Sequence, residues 1–341
     1  MKPYRLPRGF FLIFLFVVLL LMGGVTWFFF AQRQLLKENI DDDLLTIAEG
    51  KVEQIVTWRR DQIDEGRELM QNQFLLREIA EWQETGSLEN VQEIRSFFYS
   101  IQKHYRYKDV ILASPQGQPL ISLKNDLASL DFVSFQLLGK AIDSGEPLLT
   151  DLHIGAHDQN PHISLIAPLY FIEGDSQKTL GAIILINDAR DFLYPLIQSW
   201  PTESESAETL LVKKDGDTVL YLNDLRHQKG TALNLRFNLS EREIPAVNAI
   251  FGVEGIFTGI DYRGIEVLSA LMPIPDSPWF IVAKVDSAEA LAVWRTNSAL
   301  IVAMLLGILG IATAAAVVFW QRDEKRHYFK LAAIETAHRE S

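Results

Sequence analysis

The chain of 341 residues contains no cysteine. That excludes disulfide staples, thiolate metal sites and cysteine nucleophiles, so an exported domain here must rest on its own apolar core. Catalytic landmarks are missing as well. There is no Gly-x-Ser-x-Gly elbow and no Gly-x-x-x-x-Gly-Lys-Ser/Thr phosphate loop. The interior has no basic stripe, and the net charge of −12 is spread along the chain, which argues against nucleic-acid binding. Between Gln34 and Asn72 there is no proline, and glycine occurs only at Gly50 and Gly66.

Two stretches lack charge altogether, Phe10–Ala31 and Ser298–Trp320. Each exceeds the roughly 20 residues that a helix needs to cross a bilayer core. In hydrocarbon the backbone must satisfy its own hydrogen bonds, so each run is read as a spanning helix. Lys2, Arg5 and Arg8 precede the first, and Arg322, Lys325, Arg326 and Lys330 follow the second. Basic flanks stay in the cytoplasm, which places both termini there and the central domain outside. Trp27, Trp294 and Trp320 suit an interfacial belt. The first run is longer than the roughly 7–15 residues of a signal-peptide core. It ends Phe29-Phe30-Ala31, without a small-x-small cleavage site, so an uncleaved anchor is expected.

The expected organisation is a cytoplasmic N-terminus over 1–9, a transmembrane helix over 10–31, a stalk helix with a membrane-distal unit over 32–200, a membrane-proximal unit over 201–297, a second transmembrane helix over 298–320 and a cytoplasmic helix over 321–341. Ile40, Leu44, Ile47, Ile55 and Trp58 recur at helical spacing, and Lys51 interrupts that stripe. A second helix is expected over Leu88–His104, with Val91, Ile94, Phe98 and Ile101 inward. Strands are expected at Asp109–Ala113 and Pro119–Leu123 around a Ser114–Gly117 turn, then a helix over Phe132–Asp143. Further strands fall at Leu148–Ile154, His162–Tyr170 and Thr179–Asn187, followed by a helix over Ala189–Gln198. Pro201–Glu208 is polar and reads as a boundary. Beyond it come a hairpin around Asp215-Gly216, a helical patch at Ala246–Phe251 and strands at Gly255–Ile260, Ile265–Met272 and Trp279–Val285. A helix over Ser287–Asn297 feeds the second apolar run. Each unit is expected to hold an antiparallel sheet of about five strands.

In that order the pieces resemble the double Cache (dCache) sensor family. Leu112–Ile121 is similar to its first hairpin, Ile163–Pro168 to its strand ending in an apolar-Pro pair, and Leu180–Leu185 to its Gly-led central strand. Leu211–Gly216 resembles the opening hairpin of the proximal unit, and Val267–Ile274 with Ser277–Val282 its closing strands. Asp261–Gly264 with Val282–Asp286 is similar to the input regions of PAS-containing sensor histidine kinases and diguanylate cyclases. The likeness covers roughly residues 34–297. It implies an α+β fold: a long N-terminal stalk helix plus two tandem PAS-like antiparallel-sheet units, flanked by two transmembrane helices.

The resemblance also implies a two-pass receptor of a bacterial inner membrane, with a periplasmic sensor domain that holds a small molecule in its distal unit. It implies a homodimer whose transmembrane helices shift on binding and act on a downstream cytoplasmic domain or protein. The alternatives are the input part of a histidine kinase or diguanylate cyclase, and a periplasmic protein-binding ectodomain. No enzyme activity is expected within these residues. His338–Ser341 lacks the setting of a phosphoacceptor, and Leu331, Ile334 and Ala337 form one helical stripe. Amino-acid-binding members carry an Arg-x-Trp-Tyr-like cluster, whereas this chain reads Phe132–Gly139 there, with no Arg or Trp. At the usual acidic position of the Gly-led strand stands Ile186, with Asp188 two residues later.

The candidate ligand-binding residues are Asp151, His153, His157, His162, Tyr170 and Asp188, with Asp158 beside them. They combine polar groups with an apolar wall, as pockets do; a solvated loop over Gly155–Pro161 is the competing reading. Three histidines within ten residues also raise metal binding. On a strand and loop the four-residue spacing of His153 and His157 does not converge, so neither metal nor cofactor is expected. Asp261, Tyr262 and Arg263 are read as a tight turn in preference to a proximal pocket, and Trp58 and Trp82 as packing residues.

Overall fold

The computed structural model describes residues 8–124, 129–155, 159–174, 176–292, 299–315, 317–318 and 321–322. The chain forms two units, Asp41–Asp286 and a second that gathers the residues on either side of it. Helix α1 spans Arg8–Met70 and so contains the first apolar run. Among the described residues it is the one helix long and apolar enough to cross a membrane. The second run is helical over Ala299–Ala315, a shorter apolar segment. Leu19, Trp27, Phe30, Leu300, Met304 and Ile311 are exposed on these segments. The expected cytoplasmic helix over 321–341 lies outside the described residues except for Gln321 and Arg322.

In the central unit α1 buries Leu44, Ala48, Lys51, Ile55, Gln62, Gly66 and Leu69, a three-four spacing that turns one face inward. Lys51, which breaks the apolar stripe in the sequence, sends its ammonium 2.5 Å from both Leu196 O and Ser199 Oγ at the end of a short helix, α5 (Leu193–Gln198). Unpaired carbonyls at a helix C-terminus suit a cation. After a break at Gln71–Asn72 comes α2 (Gln73–Thr85), a helix not among those expected. Asn72 caps its start by accepting from Leu75 N–H, and Gly86 ends it in the left-handed region. Helix α3 (Leu88–Tyr105) buries Ile94, Phe98 and Ile101, while Val91 is partly buried.

The first sheet contains β1 (Asp109–Ala113), β2 (Pro119–Ser122), β3 (Leu148–Leu149), β4 (His153–Ile154), β5 (Pro161–Glu173) and β6 (Ser176–Asp188). Its order is β2-β1-β6-β5-β3, with β4 on β5, all antiparallel. The single strand expected over Leu148–Ile154 is two short ones, because the chain leaves the strand at Thr150 and bends at Leu152. Val110, Leu112, Leu165, Ile183 and Leu185 pack on α2 and α3. Ile111, Ala113, Ile166, Ala182 and Ile184 face the other way, onto Leu138 and Ala141 of α4 (Phe132–Ser144). This is the period-two alternation of a sheet covered on both sides. Gly181, at φ 129°, lets β6 pass close to β1; a Cβ there would lie 2.1 Å from Ala113 O.

The second sheet contains β7 (Glu208–Asp215), β8 (Thr218–Tyr221), β9 (Arg236–Asn238), β10 (Gly255–Ile260), β11 (Glu266–Pro273) and β12 (Trp279–Asp286). Its order is β10-β11-β12-β7-β8-β9. Leu210, Val212, Leu271 and Val282 pack against α6 (Pro245–Ile250) and Tyr221. Both sheets thus have six strands, one more than expected. The last helix of the described run, α7, spans Ser287–Ala290.

Candidate functional site

On the α4 side of the first sheet the apolar rows give way to polar ones at the ends of β1, β5 and β6. Asp109 and Ser164 both stand opposite Ile186 in register, one on each neighbouring strand. The register makes Asp109, Ile186 and Ser164 one row facing α4, roughly 10 Å from end to end by strand spacing. Asp109 is 5 % exposed and Ser164 1 %, while Ile186 between them is partly open. Ile186 in the middle of the row is therefore partly open to the outside, with a buried polar group on each side of it.

Asp109 Oδ1 accepts from Val110 N–H at 2.8 Å and Oδ2 from the Ser122 hydroxyl at 3.1 Å. Burial raises its pKa above the ordinary carboxylate value, and these donors and the field of Lys124 only partly offset that. Ser164 donates its backbone N–H to Thr150 Oγ1 at 2.8 Å, but its own Oγ has no hydrogen-bond partner among the described residues. A buried hydroxyl left without a partner costs about 1–3 kcal/mol, so it is a group with capacity to spare.

One step along the strands lies a charged row. His162 stands opposite both Asp188 and His153. Arg190 grips Asp188 through Nε and a terminal nitrogen at 2.9 and 2.6 Å. Lys108 Nζ is 3.4 Å from Asp188 Oδ2 and 3.0 Å from His162 Nε2, a spacing that makes this nitrogen the acceptor of a neutral ring. Burial opposes the charge on Asp188, yet Arg190 and Lys108 bring its pKa below the usual value.

His153 sits at the edge of this row. Its Nδ1 is 2.9 Å from Asp151 O, so Nδ1 carries the proton, and Nε2 is 3.1 Å from Asp131 Oδ1. That second contact is an ion pair poorly aligned for a hydrogen bond, since Nε2 lacks a well-directed acceptor. Burial pulls the His153 pKa down, but the Asp131 carboxylate and the Asp151 carbonyl outweigh it and raise it. Asp131, partly buried yet held by His153 and by Ser134 N–H, is shifted well below the carboxylate range. Asp131 is also the N-cap of α4, accepting from Ser134 N–H at 2.8 Å.

Of the residues singled out in the sequence, His153, His162 and Asp188 come together here. Asp151 is adjacent in sequence, but its carboxylate is held by Lys213 at 2.6 Å and by the Trp279 indole at 2.8 Å, both from the second sheet. Tyr170 lies farther along β5, donating to Ile142 O at 2.5 Å. His157 and Asp158 lie outside the described residues. Among the described residues no cluster of His, Cys, Asp and Glu is arranged to hold a metal ion. Asp109, Ser122, Ser164, Lys108 and Asp131 were missed. Asp109 and Ser164 are polar positions in otherwise apolar strands, and that break in pattern is the signal that could have found them.

On the opposite face, the residue between Ile186 and Asp188 addresses the stalk: Asn187 donates to Gln62 Oε1 of α1 at 2.7 Å. Tyr107, buried beside them, donates to Glu65 and lies 3.3 Å from Gln62 Oε1. Next to it is a cavity of about 30 Å³ between Glu65, Leu69, Ile101 and Tyr105, room for little more than a water.

A model of the Cache domain, in its double form, matches residues 32–294. This chain belongs to the double Cache family. Its Cache domain has the fold of the ligand-binding domain of the Campylobacter jejuni chemoreceptor Tlp3. The Tlp3 structure in complex with 4-methylisoleucine is 14 % identical, with a TM-score of 0.53 over 75 % of this chain and 94 % of that one. The same domain in complex with L-valine is 16 % identical, with a TM-score of 0.52 over 75 % and 96 %. No curated protein matches the chain.

Proposed function

We propose that this chain is the signal-input part of a two-pass bacterial membrane receptor, sensing an extracytoplasmic small molecule in the distal unit of its double Cache domain. The observation that carries the reading is the end of β6. Ile186 and Asp188 face the polar rows under α4, while Asn187 between them bonds to α1, the helix that contains the first apolar run. A ligand seated over Ile186 that prefers one position of β6 would shift the helix by its differential affinity for the two states. The Tlp3 domains are described with aliphatic amino acids bound, which supports a small-molecule role for the same fold. The exposed apolar side chains of α1 and of Ala299–Ala315, with basic flanks at both ends of the chain, support two membrane passes and cytoplasmic termini.

The test is a thermal-shift screen of the full chain in lipid nanodiscs against a metabolite library. A ligand at one hundred times its dissociation constant stabilises the folded state by about 2.7 kcal/mol. A saturable hit lost in Ile186→Trp, which fills the floor of the site, supports the reading. A hit indifferent to that change, or a stable complex with a periplasmic protein instead, sinks it. Alkaline phosphatase inserted after Gly230 should be active and a cytoplasmic reporter there silent; the reverse would refute the topology.

A further inference from the structure

Among the described residues, three places combine buried polar groups with spare capacity or room for a guest. The cavity beside Tyr107 is too small for a metabolite. The cluster around Lys284 in the second sheet is closed by its own ion pairs. Over Ile186 the balance of charge is open, and it has a definite sign.

We infer that the ligand of the distal site is a small ammonium compound, an amino alcohol or diamine, held by the Asp109 carboxylate at one end and hydrogen-bonded by Ser164 Oγ at the other. This rests on the reading of the distal site given above and specifies its ligand class. Among the described residues five groups around the floor carry positive charge or can do so, and four are already committed, His162 as the acceptor of Lys108. Arg190 and Lys108 are on Asp188, and His153 is on Asp131. Lys124 stays exposed and reaches Asp109 only through its field. A ligand carboxylate entering over Ile186 would meet Asp109 without gaining a cation of its own.

The anions are unequally placed. Asp131 and Asp188 are ion-paired, whereas no cation lies within ion-pair distance of Asp109 among the described residues. Asp109 is held instead by an amide N–H and a hydroxyl. A buried carboxylate with neutral donors alone is a place where a cation gains more than it would in water. Its raised pKa reports the same deficit, which an arriving ammonium would make good. Ser164 faces Asp109 across Ile186 with an unused hydroxyl, so the ligand needs a second polar group beyond a short apolar stem that covers the isoleucine. Aliphatic amino acids, as in the Tlp3 complexes, fit this balance poorly because their carboxylate has no cation to meet.

The experiment is calorimetric titration of the full chain in nanodiscs with ethanolamine and putrescine, and with butyrate and L-isoleucine as carboxylate-bearing comparisons. The amines are expected to bind and butyrate not. Asp109→Asn should weaken amine binding by roughly tenfold or more, as loss of a charge-assisted bond does, and Ser164→Ala by a few-fold. Ile186→Trp leaves the bonds of Asp109 in place and should abolish binding, which guards against a misfolded Asp109→Asn. Amine binding that survives Asp109→Asn overturns the inference, as does a failure of both amines to bind. If butyrate or L-isoleucine binds and Ile186→Trp abolishes it, the site stands and the ligand class falls. Should Ile186→Trp leave every titration unchanged, the site reading falls with it.

Discussion

The indole of Trp279 on β12 donates to Asp151 Oδ1 at 2.8 Å, so a tryptophan of the second sheet is fastened to the β3–β4 connection of the first. Lys213 holds the other carboxylate oxygen at 2.6 Å, and Arg59 of α1 stacks its guanidinium 5.2 Å from the centre of the Trp279 ring. One carboxylate thus ties together both sheets, with the long helix touching the same ring.

That joint predicts coupled losses. Trp279→Phe removes one donor and keeps most of the packing, and should cost about 1–2 kcal/mol; Asp151→Ala strands both donors and should cost more. In a double-mutant cycle read by thermal unfolding of the full chain, the two changes should couple by about 0.5–3 kcal/mol. Additive losses would mean that the bond contributes nothing between the sheets.

The His153–Asp131 pair predicts a pH window. The histidine pKa is raised on folding, so its contribution is complete below the unfolded value of about 6.5 and fades as pH rises through the folded one. The Asp131 pKa is lowered, so its contribution is present above about 4 and fades only as pH falls toward the folded value. The pair should therefore stabilise most between roughly pH 4 and 6.5. Melting temperatures followed from that range up through the raised histidine value should fall less toward alkaline pH in His153→Ala; an unchanged profile would remove the pair from the account.

Lys284, 0 % exposed, lies 2.7 Å from Glu208 Oε1 and 2.6 Å from Asp261 Oδ2. Tyr262 donates to Glu208 at 2.7 Å, and Arg263 closes the cluster onto Asp261 and Asp286. Lys284→Met leaves Glu208 buried without a cation and Asp261 with Arg263 alone, a loss of about 3–5 kcal/mol. Guanidinium unfolding followed by tryptophan fluorescence should show it. Asp261 is buried but pulled below its ordinary pKa by Lys284 and Arg263, so the wild-type cluster should weaken as pH falls through that depressed value.

Gly181→Ala should be costly for a reason unrelated to charge. The backbone conformation alone disfavours a side chain by about 1–3 kcal/mol. The Ala113 carbonyl also occupies the space a Cβ needs. A drop in melting temperature larger than that of Gly139→Ala, where nothing lies within 4 Å, is the expected result. Equal drops would show that β6 can back away from β1.

Regular alternation was legible in the sequence, and isolated polar insertions were not. Asp109–Ala113 and Gly255–Ile260 read directly as strands because apolar runs ended in turn residues. Helix α2 escaped although Asn72 and Gly86 bracket it, since its stripe follows α1 almost without a gap. Strand β9 has three residues, too few to display a period. Asp261–Arg263 does form a tight turn, with Gly264 N–H bonded to Asp261 O at 2.9 Å, yet its charges turn inward. Nothing local announces that, because Glu208 and Lys284 come from strands far away in sequence. Asp151 was grouped with His153 by proximity along the chain, while its partners lie 62 and 128 residues onward.

The order of the second sheet has a mechanical consequence. Its incoming strand β7 and outgoing strand β12 are hydrogen-bonded neighbours, with Glu208 opposite Lys284 where the chain arrives and departs. Tension between those two points would load the ladder as a zipper, one pair at a time, and not in shear across all six pairs. The first tooth is the buried Glu208–Lys284 ion pair. A pull on the outgoing chain would therefore meet a buried ion pair at the start, and once that pair parted the rungs from Thr209–Ala283 onward would carry no ion pair until Lys213–Trp279, where both residues hold Asp151.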